Sequence, residues 1–146
     1  MEEHRETAQP KVLLVEDDDD LRVAMAGCLA GAGFDVTLVA TGADAVRAAL
    51  RDHPQVMVID VMLPDSGGLG VAEALHRYPE LERVPVLFTT GLAAPAVKAL
   101  LAPAPVLFKP FGRRQLLSAV RSAVDPSLAS GRAGPSTSAH GSTGSP

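Results

Sequence analysis

The sequence predicts an α/β fold, an open and doubly wound parallel sheet of five strands, on two observations. Five short apolar runs, mostly β-branched or aromatic, alternate along the chain with segments of helical periodicity. The chain has 146 residues, of which 47% are hydrophobic, which suits one domain with one core. Strands that alternate with helices form parallel sheets with right-handed crossovers. Continuous apolar runs indicate strands that are covered on both faces.

The predicted strands are residues 12–15, 36–39, 56–59, 86–89 and 106–108. Side chains at helical spacing mark the apolar faces of three helices: Leu21, Met25, Cys28 and Leu29 in the first, Leu69, Ala72 and Leu75 in the third, and Leu116, Leu117, Val120 and Val124 in the last. Thr41 is expected to cap an Ala-rich second helix that continues to about Arg51. Pro95 and Pro103 bound a short fourth helix.

The ends of the first helix are predicted from local residues. One of Asp18, Asp19 and Asp20 is expected to cap its N-terminus, with Asp19 and Asp20 favoured. Gly31 or Gly33 is expected to end it.

Composition bounds the folded unit and its surroundings. Residues 10–125 are predicted to fold, residues 1–9 to be flexible, and residues 126–146 to form a disordered tail, since 15 of those 21 residues are Pro, Ser, Gly or Thr. The tail leaves no room for an output domain, so a stand-alone single-domain protein is expected. A net charge of −4 argues against direct binding to nucleic acid. No apolar stretch reaches the roughly 18–20 residues that cross a bilayer, and a single cysteine suits a reducing, cytoplasmic setting.

Polar residues follow the predicted strands at the edge where ligands bind in such folds. Glu16 and Asp17 follow the first strand, Asp60 the third, Thr90 the fourth and Lys109 the fifth. Clustered carboxylates repel one another, and a hard divalent cation such as Mg²⁺ relieves the repulsion while leaving positions open for phosphoryl oxygens. With Mg²⁺ bound, one carboxylate can act as a nucleophile toward a phosphoryl donor. Lys109 can then pair with the phosphoryl charge, and Thr90 can donate a hydrogen bond to it.

Four segments together resemble the receiver domain of two-component response regulators. They are Glu16-Asp17 in KVLLVEDD, Asp60 with Pro64 and Gly68 in VIDVMLPDSGG, Thr90-Gly91 in PVLFTTG, and Lys109-Pro110-Phe111 in LFKPF. The resemblance implies a flavodoxin-like fold with strand order 2-1-3-4-5. It also implies that Asp60 accepts phosphate from a histidine kinase, of the hybrid type or not, or from a histidine phosphotransfer protein. Asp17 would then ligate Mg²⁺ directly, Glu16 mostly through water, and Met62 through its main-chain carbonyl.

Under the same resemblance the chain is a signalling switch with an unknown downstream protein target, and not an enzyme beyond Mg²⁺-dependent self-phosphotransfer and slow autodephosphorylation. The sequence departs from the family pattern in two respects, and each leads to an expectation. Val106 stands where the family commonly has Tyr or Phe, so we expect a small, stiff response over residues 91–108. In the family, the residues at the positions of Met62 and Leu92 admit or orient the water that hydrolyses the acyl phosphate. Both are apolar here, so we expect a long-lived phosphorylated form.

Two other functions stay open at this point. A phosphohydrolase of the haloacid dehalogenase type also uses aspartates after the first strand with Mg²⁺, and residues 17–20 offer its D-x-D, but Asp60 and Lys109 are then unexplained. A receiver-like interaction module could keep the fold without switching.

Overall fold

The computed structural model describes residues 8–92 and 95–128. Within them, five strands alternate with five helices: β1 (Lys11–Val15), α1 (Asp19–Gly31), β2 (Asp35–Val39), α2 (Gly42–Asp52), β3 (Val56–Asp60), α3 (Gly67–Leu75), β4 (Val86–Thr90), α4 (Pro95–Leu101), β5 (Val106–Phe108) and α5 (Arg113–Val124). All neighbouring strands are parallel, in the order β2-β1-β3-β4-β5. The predicted doubly wound fold and its strand order are confirmed.

Two apolar clusters lie on opposite faces of the sheet. On one face, strand side chains such as Leu13 and Ile59 pack with residues of α2, α3 and α4. On the other, Leu14 and Val58 pack with residues of α1 and α5. Each fully buried Leu or Val contributes about 1.5–3 kcal/mol. The alternation of side chains along β1 and β3 therefore covers both faces with helices.

The expectation that every strand is covered on both faces holds only at the centre of the sheet. All five residues of β3 are buried, whereas β5 is half-buried throughout and Leu38 of β2 is exposed. β2 and β5 are the edge strands, so each has a neighbouring strand on one side only and less helix above it.

The helix starts confirm one prediction and correct another. Thr41 caps α2, because its Oγ1 accepts a hydrogen bond of 3.1 Å from the Asp44 N–H. α1 is capped by Asp18, whose Oδ1 accepts from the Leu21 N–H at 3.0 Å. Asp19 and Asp20, which we favoured, lie inside the first turn, since the chain stays extended through Asp18. α1 ends at Gly31, one of the two predicted stops.

The apolar face of α3 differs from the predicted one. Gly68, Val71 and Leu75 are buried, whereas Leu69 is exposed and Ala72 is half-buried. The tight approach of Gly68 to β3 sets the rotation of the helix, which turns Leu69 toward solvent.

The predicted core residues of α1 and α5 are mostly buried. Met25, Leu29, Leu116, Leu117 and Val120 are buried, and Leu21, Cys28 and Val124 are half-buried against the same cluster. Cys28 is thus at the margin of the core rather than within it.

The ends of the folded unit stay a prediction. Of the segments expected to be flexible, 1–9 and 126–146, only residues 8–9 and 126–128 fall within the described part of the chain. Among the described helices, none combines the length and the apolar character that a bilayer span requires.

Candidate functional site

The predicted site residues lie together at the carboxyl ends of the strands. Asp60 and Thr90 are the last residues of β3 and β4, not the residues after them as expected. The ladder is longer than the apolar runs, since Asp60 still pairs in register with Thr89 and the Val61 N–H donates to the Thr89 carbonyl at 2.9 Å. A strand backbone therefore holds both side chains.

Glu16 and Lys109 each lie one residue beyond a strand and are also fixed by backbone hydrogen bonds, whereas Asp17 lies two residues beyond β1. The Glu16 N–H donates to the Val39 carbonyl at 3.1 Å, and the Lys109 N–H donates to the Thr90 carbonyl at 2.7 Å. The sheet thus extends into the site on both sides of β3.

Three carboxylates converge at this edge. One oxygen from each of Glu16, Asp17 and Asp60 can be chosen so that all three lie within 4.8 Å of one another. Glu16 is 1% exposed and Asp60 is 3% exposed, whereas Asp17 is open to solvent. The cluster therefore has two buried carboxylates and one on its outer side.

Lys109 is the cation that faces the buried pair. Its Nζ donates to Asp60 Oδ2 at 2.7 Å and lies 3.1 Å from Glu16 Oε1. Burial alone would lower the pKa of Lys109, but its hydrogen bond to Asp60 and the negative charges of Asp60 and Glu16 outweigh that effect, and the pKa is raised. Lys109 is therefore a full positive charge at neutral pH, against three carboxylates.

The oxygens of the two buried carboxylates differ in the hydrogen bonds that they accept. Asp60 Oδ1 accepts from the Met62 N–H at 2.9 Å, and Glu16 Oε2 accepts from the Asp18 N–H at 3.1 Å. Glu16 Oε1 meets Lys109 at ion-pair distance but at a poor angle, so it accepts no hydrogen bond from the described residues. A buried oxygen without a donor costs free energy that a bound cation can recover.

Burial also acts on the titration of Glu16. Its loss of hydration raises the pKa of Glu16, and the neighbouring Asp60 charge adds to this; the Asp18 N–H and Lys109 oppose the rise only in part. Burial beside Asp60 therefore disfavours the ionised form of Glu16, which a bound cation would favour.

These residues fit a hard divalent cation. Carboxylate oxygens with one incompletely satisfied buried atom and one exposed member are the donor set that Mg²⁺ takes while keeping several waters. The Met62 backbone lies beside them, because its N–H binds Asp60. The sequence prediction of a magnesium site is therefore compatible with the geometry.

Thr90, Met62 and Leu92 border the cluster. Thr90 is fully buried, and its Oγ1 accepts a hydrogen bond of 3.1 Å from the Leu92 N–H. Met62 and Leu92 are 60% and 47% exposed. The two apolar side chains are therefore accessible, whereas the backbone of each is tied to a site residue.

Sequence reasoning missed Arg22, whose side chain binds two residues of the acidic segment 16–20. One guanidinium nitrogen donates to the Glu16 carbonyl at 2.8 Å and the other to Asp19 Oδ1 at 2.6 Å. Its side chain is only 18% exposed. Arg22 precedes Met25 and Leu29 by three and seven residues, and an arginine on such a buried stripe is a signal of a polar partner that was available in the sequence.

Gly68 sets how closely α3 approaches the carboxyl end of β3. A Cβ there would lie 2.6 Å from the Asp60 carbonyl oxygen and 2.9 Å from Val61 Cα. We expect Gly68→Ala to lower the free energy of unfolding by about 1–3 kcal/mol, because backbone must move. Gly27→Ala is the matched control: with nothing within 4 Å of its added Cβ in α1, it should stabilise by about 0.5–1 kcal/mol. Urea unfolding of both variants checks the opposite signs, and equal effects would contradict the steric argument.

Comparison with known proteins agrees with this fold. The model of the response regulator receiver domain family matches residues 12–121. The transcriptional regulatory protein GltR of Pseudomonas aeruginosa is 31% identical over 113 residues, which cover 75% of this chain and 47% of that protein. PrrA of Mycobacterium tuberculosis is 33% identical over 113 residues, covering 77% and 48%. The chain thus spans about half the length of these curated relatives.

Solved structures give the same result. The chemotaxis response regulator CheY4 of Vibrio cholerae superposes with a TM-score of 0.74 at 27% identity, covering 80% of this chain and 99% of that one. The receiver domain of the sensor histidine kinase PA1611 from Pseudomonas aeruginosa, which has a magnesium ion coordinated in its active site cleft, gives a TM-score of 0.73 at 30% identity, covering 80% and 98%. On the family match, the site at the strand ends and the shared fold, this chain belongs to the response regulator receiver domain family.

Proposed function

We propose that this chain is a phosphorylation-dependent switch of a two-component system, which accepts a phosphoryl group on Asp60 from a histidine kinase, hybrid or not, or a histidine phosphotransfer protein. The observation that carries the proposal is the position of Asp60. It is a buried carboxylate bound to Lys109 at 2.7 Å and grouped with Glu16 and Asp17 within 4.8 Å. A carboxylate in such a site is a nucleophile with a cation at hand for the phosphoryl charge.

In the transfer step, an Asp60 carboxylate oxygen attacks the phosphorus of the donor's phosphohistidine. The new O–P bond forms as the P–N bond breaks, and the electron pair of that bond stays on the imidazole nitrogen. The Met62 N–H holds Oδ1 of Asp60 in place. Asp60 is 3% exposed, and the Met62 N–H and Lys109 hold its carboxylate, so the carboxylate is oriented before the phosphoryl donor binds.

Glu16, Asp17, Asp60 and the Met62 carbonyl would hold Mg²⁺ in this proposal. When bound, Mg²⁺ supplies positive charge that offsets the charge on the phosphoryl oxygens. Asp17 is the proposed direct ligand, because it is exposed and makes no hydrogen bond or ion pair with other described residues. Glu16 is the outer ligand in this proposal: its Oε2 already accepts from the Asp18 N–H, and a water between Glu16 and Mg²⁺ would donate to the Oε1 that has no donor.

After transfer, Lys109 and Thr90 bind the phosphoryl group. Phosphorylation removes the Asp60 negative charge from the carboxylate and adds anionic oxygens beyond it. The Lys109 ammonium is already 2.7 Å from Asp60, so a modest reorientation pairs it with the phosphoryl group. The Thr90 hydroxyl now accepts from the Leu92 N–H, and its proton is available for a phosphoryl oxygen.

The hydrolase alternative fits the geometry less well. Its D-x-D would need Asp19 in the site, but Asp19 lies in the first turn of α1 and its carboxylate binds Arg22 at 2.6 Å. We therefore propose that the chain catalyses only its own phosphorylation and slow dephosphorylation. A non-switching interaction module is the remaining alternative, and the labelling experiment separates it.

The test is uptake of phosphate from acetyl phosphate with Mg²⁺, followed by intact mass. We expect one phosphate per chain, no uptake with a chelator, and no uptake by Asp60→Asn. Asp44→Asn is the matched control, because Asp44 lies outside the acidic cluster and pairs with Arg47. Uptake by Asp60→Asn would contradict the proposal, and no uptake by the parent chain would favour the interaction module. Sustained turnover of a small phosphate ester would favour the hydrolase.

The switch should act without an aromatic ring on β5. Val106 is half-buried and packs on the same cluster as Val97 and Leu101 of α4, and its short side chain cannot swing inward as a ring does. With beryllofluoride as phosphate mimic, we expect slower amide exchange at Gly91 and Leu92 and little change over Pro95–Leu101. Residues 93–94 of the expected 91–108 response lie outside the described residues.

Amide exchange by mass spectrometry checks this result, with Val106→Tyr as the comparison. The ring should enlarge the response in α4 if an aromatic side chain is the missing element. Large, cooperative protection throughout α4 in the parent chain would contradict the prediction.

A further inference from the structure

Asp65 joins the loop after the phosphoacceptor strand to the start of a different helix. It lies in residues 61–66, between β3 and α3. Its Oδ1 accepts from the Gly42 N–H at 3.0 Å, and its Oδ2 accepts from the Ala43 N–H at 3.1 Å. Both bonds are charge-assisted and reach the positive end of the α2 dipole. The carboxylate therefore binds backbone more than twenty residues away in the chain.

The loop of residues 61–66 lies close to the N-terminus of α2. Gly42 is buried, and a Cβ added to it would collide with Ser66 Oγ and lie 2.9 Å from Val71 Cγ2. The loop thus rests directly on the backbone of α2. Because α2 already has a local cap in Thr41, the helix does not depend on Asp65 for its only cap.

The same short loop carries Met62, three residues before Asp65. At its far end, the Gly68 N–H donates to the Val61 carbonyl at 2.9 Å, which closes the loop on itself. Leu63 buries its side chain in the core, but an apolar contact does not fix how the neighbouring peptide groups are turned. Among the described residues, Asp65 makes the polar bonds that tie the loop to α2.

We infer that Asp65 is a positioning residue for the phosphoacceptor site: by clamping the loop to the N-terminus of α2, it sets the orientation of the Met62 main chain against Asp60. The Met62 N–H bond to Asp60 Oδ1 at 2.9 Å is the direct product of that orientation. Under the proposed function, on which this inference rests, the Met62 carbonyl is also a Mg²⁺ ligand. Loss of the clamp should therefore loosen both groups without removing any group that touches the metal.

The experiment compares Asp65→Ala with Thr41→Ala. Each removes a cap from α2, and each should destabilise the protein to urea by a similar amount, but only Asp65 contacts the α2 N-terminus from the Met62 loop. We expect Asp65→Ala to weaken Mg²⁺ binding about 10-fold or more in titration calorimetry. Thr41→Ala should leave the Mg²⁺ affinity unchanged. Asp65→Asn, which keeps a side-chain oxygen, should restore part of the affinity.

Amide exchange of Met62 without any metal provides a second reading. Asp65→Ala should speed exchange at Met62, with Val58 in the centre of β3 as an internal reference that stays protected. A variant with unchanged Met62 exchange and unchanged Mg²⁺ affinity would overturn the inference and leave Asp65 as a helix cap. Equal losses of affinity in Asp65→Ala and Thr41→Ala would overturn it too, since helix stability would then be the cause.

Failure of the proposed function gives a different pattern. A parent chain that binds no Mg²⁺ and takes up no phosphate would refute the function, whereas the Met62 exchange still reports on the clamp. If Asp65→Ala does not fold, Asp65→Asn decides by the same two measurements, with a smaller expected effect because one of its two hydrogen bonds survives.

Discussion

Asp17→Asn should reduce the rate of phosphorylation by acetyl phosphate by about 100-fold or more, whereas Glu16→Gln should reduce it by about 10-fold. The difference follows from how the two carboxylates are held. Asp17 is exposed and has no hydrogen bond or ion pair to other described residues, so its carboxylate is free to ligate a metal directly. The buried Glu16 carboxylate already binds the Asp18 N–H and faces Lys109. A glutamine there keeps an oxygen for the Asp18 N–H.

The measurement is the initial rate of mass gain over a series of Mg²⁺ concentrations. A loss of metal affinity shifts the concentration needed for half-maximal rate, and a loss of catalysis at saturating Mg²⁺ lowers the plateau. Asp20→Asn is the matched control, because Asp20 is an exposed aspartate on the same segment but outside the cluster. If Asp20→Asn is as slow as Asp17→Asn, the general acidity of the segment matters and direct ligation is wrong.

The fold could be predicted because the central strands are apolar enough to require helices on both faces of the sheet. A run such as residues 56–59 has no polar side chain, and β3 is buried along its whole length, so only a strand with helices on both faces suits it. The strand order came from the resemblance and not from the apolar pattern. The edge strand β2 is also mostly apolar over residues 36–39 but is half-exposed, since a mostly apolar run does not show how many neighbouring strands a strand has.

The site could be predicted for a related reason. In a parallel sheet the carboxyl ends of the strands meet at one edge, so Glu16, Asp60 and Lys109 had to approach one another once the strands were right. Their pairing is a matter of distances that sequence does not contain. The 2.7 Å bond from Lys109 to Asp60 and the buried Glu16 oxygen without a donor depend on the packing of three strands.

The sequence did not reveal contacts between residues that lie far apart in the chain. Asp65 reads in sequence as a turn residue after Pro64, and its partners Gly42 and Ala43 lie more than twenty residues away. Nothing local distinguishes a carboxylate that caps its own turn from one that caps a distant helix. The exposed position of Leu69 was missed for a similar reason, because the rotation of α3 is set by the contact of Gly68 with the Asp60 backbone.

The apolar rim of the site should make the phosphorylated form long-lived. Hydrolysis requires a water oxygen to attack the phosphorus in line as the bond to the Asp60 oxygen breaks. Met62 and Leu92 are tied to site residues, since the N–H of one binds Asp60 and the N–H of the other binds Thr90, and the two residues are 60% and 47% exposed. Neither side chain is packed away in a loop, and neither can hold a water by hydrogen bonding. Both can cover the acyl phosphate.

Replacing these side chains by polar ones should therefore speed the loss of phosphate. A side chain that orients the attacking water typically changes the rate by about 100-fold, so we expect Met62→Asn and Leu92→Glu together to approach that factor, with a smaller gain from each alone. The measurement is the decay of intact mass of the purified phosphoprotein in Mg²⁺. Leu100→Glu is the control, since Leu100 is an exposed leucine on α4, outside the site. If decay is unchanged in both site variants, or is equally fast in Leu100→Glu, the apolar rim does not control the access of water to Asp60.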